Sequence, residues 1–206
     1  SLSDTEMDLE SRIVRLGLCS DVPEVFPNDF EPYLNTGIKV WQYPNQLAQL
    51  FKFIEANNIN SYLEVGTYQG GLFIAVTDYL ERIGRKVKAA SVDILLNPEL
   101  KNYAKRKGYD FLVMPSESRR FKRYLSNKRF DLALIDGDHS FEGVMGDFMR
   151  IKDHAEYIAF HDIVDDNQPG VCEFWKWVKS SGEYQTYEFV NQYTEVSETG
   201  KTYLGI

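Results

Sequence analysis

The middle of the chain alternates between short apolar runs and longer segments in which apolar residues recur every three or four positions. Short apolar runs are typical of buried strands, and the longer periodic segments are typical of amphipathic helices. Glycine, proline and asparagine mark many of the boundaries, as turn residues do. The strand candidates are Tyr62–Val65, Val87–Val92, Tyr109–Met114, Phe130–Ile135, Tyr157–Phe160, Gln185–Val190 and Lys201–Ile206.

Amphipathic helices are predicted before and between these strand candidates. The first begins at Pro44 and places Leu47, Leu50 and Ile54 on one face. Strands that alternate with helices at such short spacing predict an α/β fold, in which a doubly wound, mostly parallel, seven-stranded sheet carries helices on both faces. Ligands of such sheets bind outside the carboxyl ends of the strands. Polar residues that follow the strand ends are therefore expected to face one crevice.

The first 40 residues do not share this rhythm. Pro23, Pro27 and Pro32 punctuate a segment with scattered aromatic residues, and few apolar positions repeat. We therefore predict an N-terminal arm or lid over residues 1–40 and a single domain over residues 41–206. That length is enough for one full hydrophobic core.

Composition narrows the classes of function. A net charge of −8 disfavours a nucleic-acid binder, which needs a basic surface for phosphates, and the basic clusters at 101–107 and 119–123 are interpreted as solvated helix faces. No run of about 18 apolar residues is available to cross a membrane, and no secretory signal is apparent. Cys19 and Cys172 form neither a disulfide framework nor a zinc motif, which favours a reducing, cytoplasmic location.

One turn carries more chemical information than any other stretch. The strand that ends at Val65 leads through Gly66 to Gly70 and Gly71, where the next helix is expected to begin. Such a turn points bare backbone and helix N–H groups at a ligand. Glu64 places a carboxylate inside the strand, where a buried acid needs a donor partner and disfavours a phosphate. The turn predicts a nucleotide-like ligand with a positively charged portion, a description that S-adenosylmethionine fits.

Two commoner nucleotide signatures are absent. The dinucleotide fingerprint requires a glycine where Tyr68 stands, which disfavours an NAD-dependent oxidoreductase, and no Gly-Lys-Ser/Thr follows the turn as in a P-loop. Asp93 ends the second strand, where a carboxylate can accept both hydroxyl groups of a ribose. The alternative role for Asp93 is that of an acid near a helix N-terminus, favoured by the helix dipole.

Several motifs together resemble class I S-adenosylmethionine-dependent methyltransferases. The Glu-Val-Gly-Thr-Tyr-Gln-Gly-Gly stretch at 64–71 looks like motif I of that class. The stretches at 135–144 and 159–163 look like the motifs after strands four and five in one subgroup, and Trp-Gln-Tyr-Pro at 41–44 also suits it. This subgroup includes the macrocin and mycinamicin sugar O-methyltransferases and the cephalosporin-hydroxylase-like proteins. The resemblance spans about residues 41 to 180.

The resemblance implies how the methyl donor would be held. The glycines of the turn would let the backbone approach its methionine part, Glu64 would hold its amino end, and Asp93 would bind its ribose. Ser116 and Glu117 would lie near the adenine, and Ser116 can also cap the following helix. The residues implied to bind S-adenosylmethionine are Glu64, Gly66, Thr67, Tyr68, Gly70, Gly71, Asp93, Ser116, Glu117 and Asp136.

A second group of residues concerns the chemistry. An alcohol does not ionise near neutral pH, so its methylation suits a divalent metal such as Mg²⁺ or a histidine that takes the proton. The sugar methyltransferases that the chain resembles bind such a metal with acids after strands four and five. Asp136 and Asp162 match two of these positions, and His161 stands where those relatives carry another acid, although imidazole prefers borderline metals. His139 matches their proposed general base, and Asp136 is the second candidate catalytic residue.

Structural roles remain open for the same residues. Asp136 and Asp138 suit a turn, Asp138 is better interpreted as the cap of the next helix, and His161 with Asp162 suits a hydrogen-bonded pair.

We expect an S-adenosylmethionine-dependent methyltransferase that acts on a hydroxyl of a small molecule, such as a sugar or polyol. Nucleic-acid and membrane partners are not expected, and a homo-oligomer is compatible with the sequence. One rival is a metal-independent methyltransferase for another acceptor, and the other is a protein that binds S-adenosylmethionine without turnover.

Overall fold

The computed structural model describes residues 8–19, 26–193 and 200–206. The strands are β1 (Ser61–Val65), β2 (Lys88–Asp93), β3 (Asp110–Val113), β4 (Phe130–Ile135) and β5 (Ala155–Phe160). The helices are α1 (Leu9–Val14), α2 (Pro44–Ala56), α3 (Gly71–Arg82), α4 (Pro98–Lys107), α5 (Arg119–Leu125), α6 (Phe141–Ile151) and α7 (Pro169–Ser181). A 3₁₀ helix covers Asn28–Tyr33.

The five strands form one sheet in the order β3-β2-β1-β4-β5, and each neighbouring pair is parallel. The chain moves outward from β1 to β3 and then returns to the other side of β1 with β4. The strand order therefore reverses between β1 and β4, which is where sheets of this kind bind ligands. The predicted parallel α/β architecture is confirmed for these five strands.

Two hydrophobic cores lie on the two faces of the sheet. Neighbouring residues of β1 divide between them: Tyr62 belongs to one core, whereas Leu63 and Val65 belong to the other. This division follows from the alternation of side chains along a strand. Apolar residues of α1 to α4 pack in the first core, and those of α5 to α7 pack in the second, so helices cover both faces as predicted.

The two last strand candidates are not strands in the described residues, and seven strands are not seen. Phe189 and Ile206 exchange two backbone hydrogen bonds of 2.8 and 3.1 Å, but the pairing does not continue. Side chains take the neighbouring N–H groups instead: Asp165 accepts from Leu204 N at 3.0 Å, and Gln46 accepts from Gly205 N at 3.0 Å. Leu204 also has a left-handed φ of 56°, which interrupts an extended strand.

The described part of the N-terminal arm packs on the domain. Ile13 and Leu18 are buried in the first core, and the carbonyl oxygens of Ile38 and Lys39 would lie 2.5 and 2.7 Å from a β-carbon added to Gly71. The arm therefore lies against the first turn of α3, although its function as a lid stays a prediction. Residues 1–7 and 20–25 of the predicted arm lie outside the described residues. No helix in the described ranges is long and apolar enough to cross a membrane.

Candidate functional site

A cavity of about 810 Å³ opens at the carboxyl ends of the strands. Its volume lies within the roughly 300–1,000 Å³ that is usual for small-molecule sites. The arm contributes Phe26 and Lys39 to its wall, and the tail contributes Tyr203 and Leu204. All the site residues predicted from the sequence line this one cavity: Glu64, Gly66, Thr67, Tyr68, Gly70, Gly71, Asp93, Ser116, Glu117, Asp136, His139, His161 and Asp162.

The glycine turn is shaped largely by contacts within the chain. Gly66 has a φ of +81°, and a β-carbon there would lie 2.0 Å from the carbonyl oxygen of Asp136. Only glycine therefore allows the ends of β1 and β4 to approach so closely. Gly70 has a φ of +85° and caps α3, where its added β-carbon would meet Leu100 at 2.8 Å. The sequence predicted a turn that needs glycine, but it did not indicate these neighbours.

Glu64 has the donor partner that a buried acid requires. The hydroxyl of Tyr62 donates to Glu64 Oε2, and both side chains are almost wholly buried. Burial raises the pKa of Glu64 well above its usual range. Sequence reasoning missed Tyr62 as this partner, although its position two residues earlier on the same face of β1 was the available signal.

Asp93 holds the loop that follows β2 as well as the turn. Its Oδ2 accepts from Tyr68 N at 2.7 Å, and its Oδ1 accepts from Leu95 N at 2.8 Å. A carboxylate oxygen can accept more than one hydrogen bond, so both oxygens keep capacity for a ligand. Behind the turn, Ser91 Oγ donates to Thr67 Oγ1 at 2.8 Å, and both residues are buried.

Ser116 does not cap α5, because Ser118 does so by accepting from Phe121 N at 3.1 Å. Ser116 Oγ instead donates to Asp147 Oδ1 at 2.5 Å. Asp147 is buried, which raises its pKa, and it also accepts from Arg150 at 2.9 Å. Sequence reasoning missed Asp147.

The available signal for Asp147 was its place in helix α6. It stands among Val144, Phe148 and Ile151 on the apolar face, and all four residues are buried. An acid at such a position needs a polar partner inside the protein.

Two aspartates and two histidines form a cluster past the ends of β4 and β5. His139 Nε2 lies 3.1 Å from Asp136 Oδ1 and 3.3 Å from Asp162 Oδ2. His161 Nδ1 lies 3.0 Å from Asp162 Oδ1 and 3.4 Å from Asp136 Oδ1. Each imidazole thus contacts both carboxylates. We call these four residues the Asp–His cluster.

Local backbone features hold the loop that carries His139. A β-carbon on Gly170, near the start of α7, would lie 2.5 Å from the carbonyl oxygen of His139, so α7 packs directly on this loop. Ser140 caps α6 by accepting from Gly143 N at 3.0 Å. The expectation that Asp138 is this cap was wrong, because Asp138 Oδ1 accepts from Ser140 N at 2.9 Å and closes the preceding turn.

The charges of the Asp–His cluster reinforce one another. Burial alone would raise the pKa of Asp136, but the facing imidazoles lower it to about 2. The hydrogen bond to Asp136 raises the pKa of His139. Burial alone would lower the pKa of His161, yet the charges of Asp162 and Asp136 outweigh it and raise that pKa well above its usual value. The cluster therefore favours an ionised Asp136 beside protonated imidazoles.

Three members of the cluster fit a divalent cation. Asp136, His161 and Asp162 each offer a ligand atom, and these atoms all lie within 4.8 Å of one another. His161 Nε2 is buried without a hydrogen-bond partner in the part of the chain that the structure describes, and Asp162 Oδ1 has only its ion-pair contact with His161 Nδ1. Buried polar atoms in this state are uncommon and point to a missing partner.

Residues 63–163 match a family model described as a methyltransferase domain. One similar solved structure is the SAH-bound methyltransferase PaMTH1 of Podospora anserina, with 15% sequence identity and a TM-score of 0.43. That alignment covers 72% of this chain and 57% of the other, so it spans little more than half of that protein. No curated protein matches the chain.

The stretch that matches the family model begins within β1 and ends just past β5. It therefore includes the glycine turn, Asp93 and all four residues of the Asp–His cluster. The N-terminal arm, α2, α7 and the tail lie outside the match, although several of their residues line the same cavity.

Proposed function

We propose that the protein is an S-adenosylmethionine-dependent methyltransferase that acts on a hydroxyl group of a small molecule, such as a sugar or polyol. One observation carries the proposal. Glu64, Asp93 and the Asp–His cluster line one cavity, so a methyl donor and a proton acceptor would share the same space.

The donor would lie along the ends of β1 and β2. Asp93 would accept hydrogen bonds from the ribose hydroxyls, because each of its oxygens keeps a free acceptor position. Glu64 would face the ammonium of the methionine part. The N-terminus of α3, which begins directly after Gly70, favours negative charge and suits the methionine carboxylate.

The transfer requires a place for the acceptor's proton. The acceptor oxygen attacks the methyl carbon, the S–CH₃ bond breaks, and the sulfonium becomes the neutral thioether of S-adenosylhomocysteine. His139 would take the released proton. Its Nε2 faces Asp136 and Asp162 at 3.1 and 3.3 Å and would carry a hydrogen, which leaves Nδ1 as the basic atom.

Asp136, His161 and Asp162 would hold a divalent cation. A cation there would lower the pKa of a hydroxyl bound to it. One observation favours a metal-independent enzyme instead: the two imidazoles already lie against both carboxylates and offset their charge. Binding of S-adenosylmethionine without turnover is the remaining alternative.

Titration calorimetry with S-adenosylmethionine and S-adenosylhomocysteine tests the proposal first. Absence of binding at millimolar concentration would overturn it. Formation of S-adenosylhomocysteine is then followed with a panel of sugars and polyols, before and after EDTA treatment and on return of Mg²⁺ or Mn²⁺. Loss and recovery of turnover would support the metal-assisted form, and turnover unaffected by EDTA would support the metal-independent one. The cytoplasmic location and the oligomeric state remain predictions.

A further inference from the structure

The hydroxyl of Tyr62 is a polar group next to the site that the proposed function does not use. It donates to Glu64 Oε2, and Tyr62 and Glu64 are 0% and 1% exposed. Glu64 lines the cavity, whereas Tyr62 is not among the residues of its wall. Tyr62 therefore contacts the acid from behind, on the side away from a bound ligand.

Packing fixes the position of that hydroxyl. Tyr62 lies in β1, which pairs with β2 on one side and β4 on the other. Its ring stacks on Phe73 of α3, with 5.9 Å between the ring centroids and 29° between the planes. Because the backbone is paired on both sides and the buried ring is packed on Phe73, the hydrogen bond holds Glu64 Oε2 at a defined position.

The second oxygen of Glu64 is the one left for the cavity. The surrounding charge favours a cation there, because Asp136 and Asp93 add negative potential at Glu64, and among the described residues His161 is the group that opposes it. An ammonium group satisfies a buried carboxylate with both a charge and a hydrogen bond. A neutral nucleoside cannot supply the charge.

We infer that Tyr62 is a positioning residue, which holds one oxygen of Glu64 so that the other receives the α-ammonium group of the methyl donor. The inference rests on the proposed function, since S-adenosylmethionine is the ligand that brings this ammonium into the cavity. It assigns to the Tyr62–Glu64 pair the recognition of the amino-acid part of the ligand. The adenosine part is recognised elsewhere.

The test compares two ligands that differ in that amino-acid part. S-adenosylhomocysteine carries the ammonium, and 5′-methylthioadenosine has the same thioether nucleoside without it. Calorimetry on Tyr62→Phe is expected to show S-adenosylhomocysteine affinity about tenfold lower, equivalent to about 1.4 kcal/mol, while 5′-methylthioadenosine affinity changes less than about twofold. A purely structural defect would weaken both ligands.

Tyr79→Phe is the matched control. The Tyr79 hydroxyl donates to Glu55 Oε2 at 3.1 Å in the same hydrophobic core, but neither residue lines the cavity. This variant is expected to bind both ligands as the unmodified protein does. A loss of S-adenosylhomocysteine affinity in Tyr79→Phe equal to that in Tyr62→Phe would overturn the inference.

Glu64→Gln provides a second, independent variant. It keeps an acceptor for the Tyr62 hydroxyl but removes the charge, so it is expected to lose S-adenosylhomocysteine affinity and keep that for 5′-methylthioadenosine. Adding Tyr62→Phe to Glu64→Gln should then change little.

Three results would refute the positioning role. They are undiminished S-adenosylhomocysteine binding by Tyr62→Phe or by Glu64→Gln, equal weakening of both ligands, and a full further loss in the double variant. If the unmodified protein binds 5′-methylthioadenosine and S-adenosylhomocysteine equally well, the inference fails while nucleoside binding stands. If it binds neither, the proposed function fails.

Discussion

The two halves of the cavity hold their carboxylates in different ways. At the ends of β1 and β2, Glu64 accepts from a tyrosine hydroxyl and Asp93 accepts from two backbone N–H groups. These donors are neutral, so no cationic side chain in the described ranges donates to either carboxyl group, and burial keeps the pKa of Glu64 high. In the Asp–His cluster, each carboxylate faces two imidazoles, and charge is offset within the protein.

This difference indicates which kind of ligand each half of the cavity can bind. The β1–β2 half suits a ligand that brings positive charge, since no cationic side chain of the described residues has to be displaced and such a charge would lower the raised pKa of Glu64. The Asp–His cluster must lose protons from its imidazoles before it can bind a cation or take a proton, because metal ligands and bases are deprotonated groups. The variants described below should separate binding by the first half from turnover by the second.

The largest expected effect is on turnover in the Asp–His cluster. Asp162→Asn removes one charge, and asparagine tolerates the left-handed backbone at this residue, where φ is 64°. We expect the turnover rate to fall about 10³-fold, the upper end for loss of one electrostatic group. Affinity for S-adenosylhomocysteine should stay within about threefold of that of the unmodified protein, because the donor does not contact Asp162 in the proposed complex.

Asp138→Asn serves as the control for Asp162→Asn. Asp138 lies in the loop after β4, next to His139, lines the same cavity as Asp162 and closes a turn outside the cluster. The turnover rate of the Asp138→Asn variant should be close to that of the unmodified protein. If Asp162→Asn keeps turnover within about tenfold, the cluster does not carry the chemistry assigned to it.

The next effect is on stability, at the point where the two halves touch. Gly66→Ala would place a β-carbon 2.0 Å from the carbonyl oxygen of Asp136, on a backbone with φ of +81°. We expect a loss of about 3 kcal/mol in the free energy of unfolding. Denaturant titration measures it.

Gly84→Ala isolates the steric part of the Gly66 effect. Gly84 has the same φ of +81°, but nothing lies within 4 Å of an added β-carbon. Gly84→Ala should therefore lower the free energy of unfolding by only the roughly 1–2 kcal/mol that the left-handed conformation costs a residue with a β-carbon. Equal losses in the two variants would mean that the ends of β1 and β4 separate easily.

A smaller effect is expected on donor affinity at the end of β2. Asp93→Asn removes the charge from a carboxylate that faces the ribose in the proposed complex, so S-adenosylhomocysteine should bind about 30-fold more weakly, or about 2 kcal/mol. Calorimetry measures this.

Asp131→Asn is a matched change at the opposite end of the sheet. Asp131 also accepts from two backbone N–H groups, those of Asn60 and Ser61, at 2.8 and 2.9 Å. Asp131→Asn should lower the stability of the protein without lowering its affinity for S-adenosylhomocysteine. An Asp93→Asn protein that binds as tightly as Asp131→Asn would leave Asp93 with a turn-holding role alone.

The smallest expected effect is on pH dependence. The pKa of Glu64 is raised by burial, so the folded state keeps its proton above pH 4.5 while the unfolded state loses it. Stability should therefore fall as pH rises above 4.5, by at most about 1.4 kcal/mol per pH unit for one proton. Glu64→Gln should remove this decline. Parallel stability curves for the two proteins, measured without ligand, would contradict it.

Sequence reasoning succeeded where a pattern repeats locally. The five strands of the sheet follow from apolar runs and turn residues, and the crevice follows from the rule for parallel sheets. The candidate residues after β1, β2, β4 and β5 therefore line one cavity. Their roles in binding and catalysis remain predictions.

Sequence reasoning failed where the hydrogen-bond partner of a residue is distant in sequence or is determined by the backbone. The tail is held by the side chains of Gln46 and Asp165, which lie far earlier in the chain and leave no periodic signal. The cap of α5 moved from Ser116 to Ser118 because Asp147, on another helix, takes the Ser116 hydroxyl. A residue pattern does not encode such competition between partners.

The contact between the arm and the glycine turn bears on how quickly a ligand can leave the cavity. The backbone at Ile38 and Lys39 lies where a β-carbon of Gly71 would be, at the start of α3, the helix proposed to face the donor. In the proposed complex, a ligand that uses the N–H groups of this turn would lie next to that segment. We expect the residence time of S-adenosylhomocysteine, and with it the interval between successive turnovers, to depend on how often the arm separates from α3.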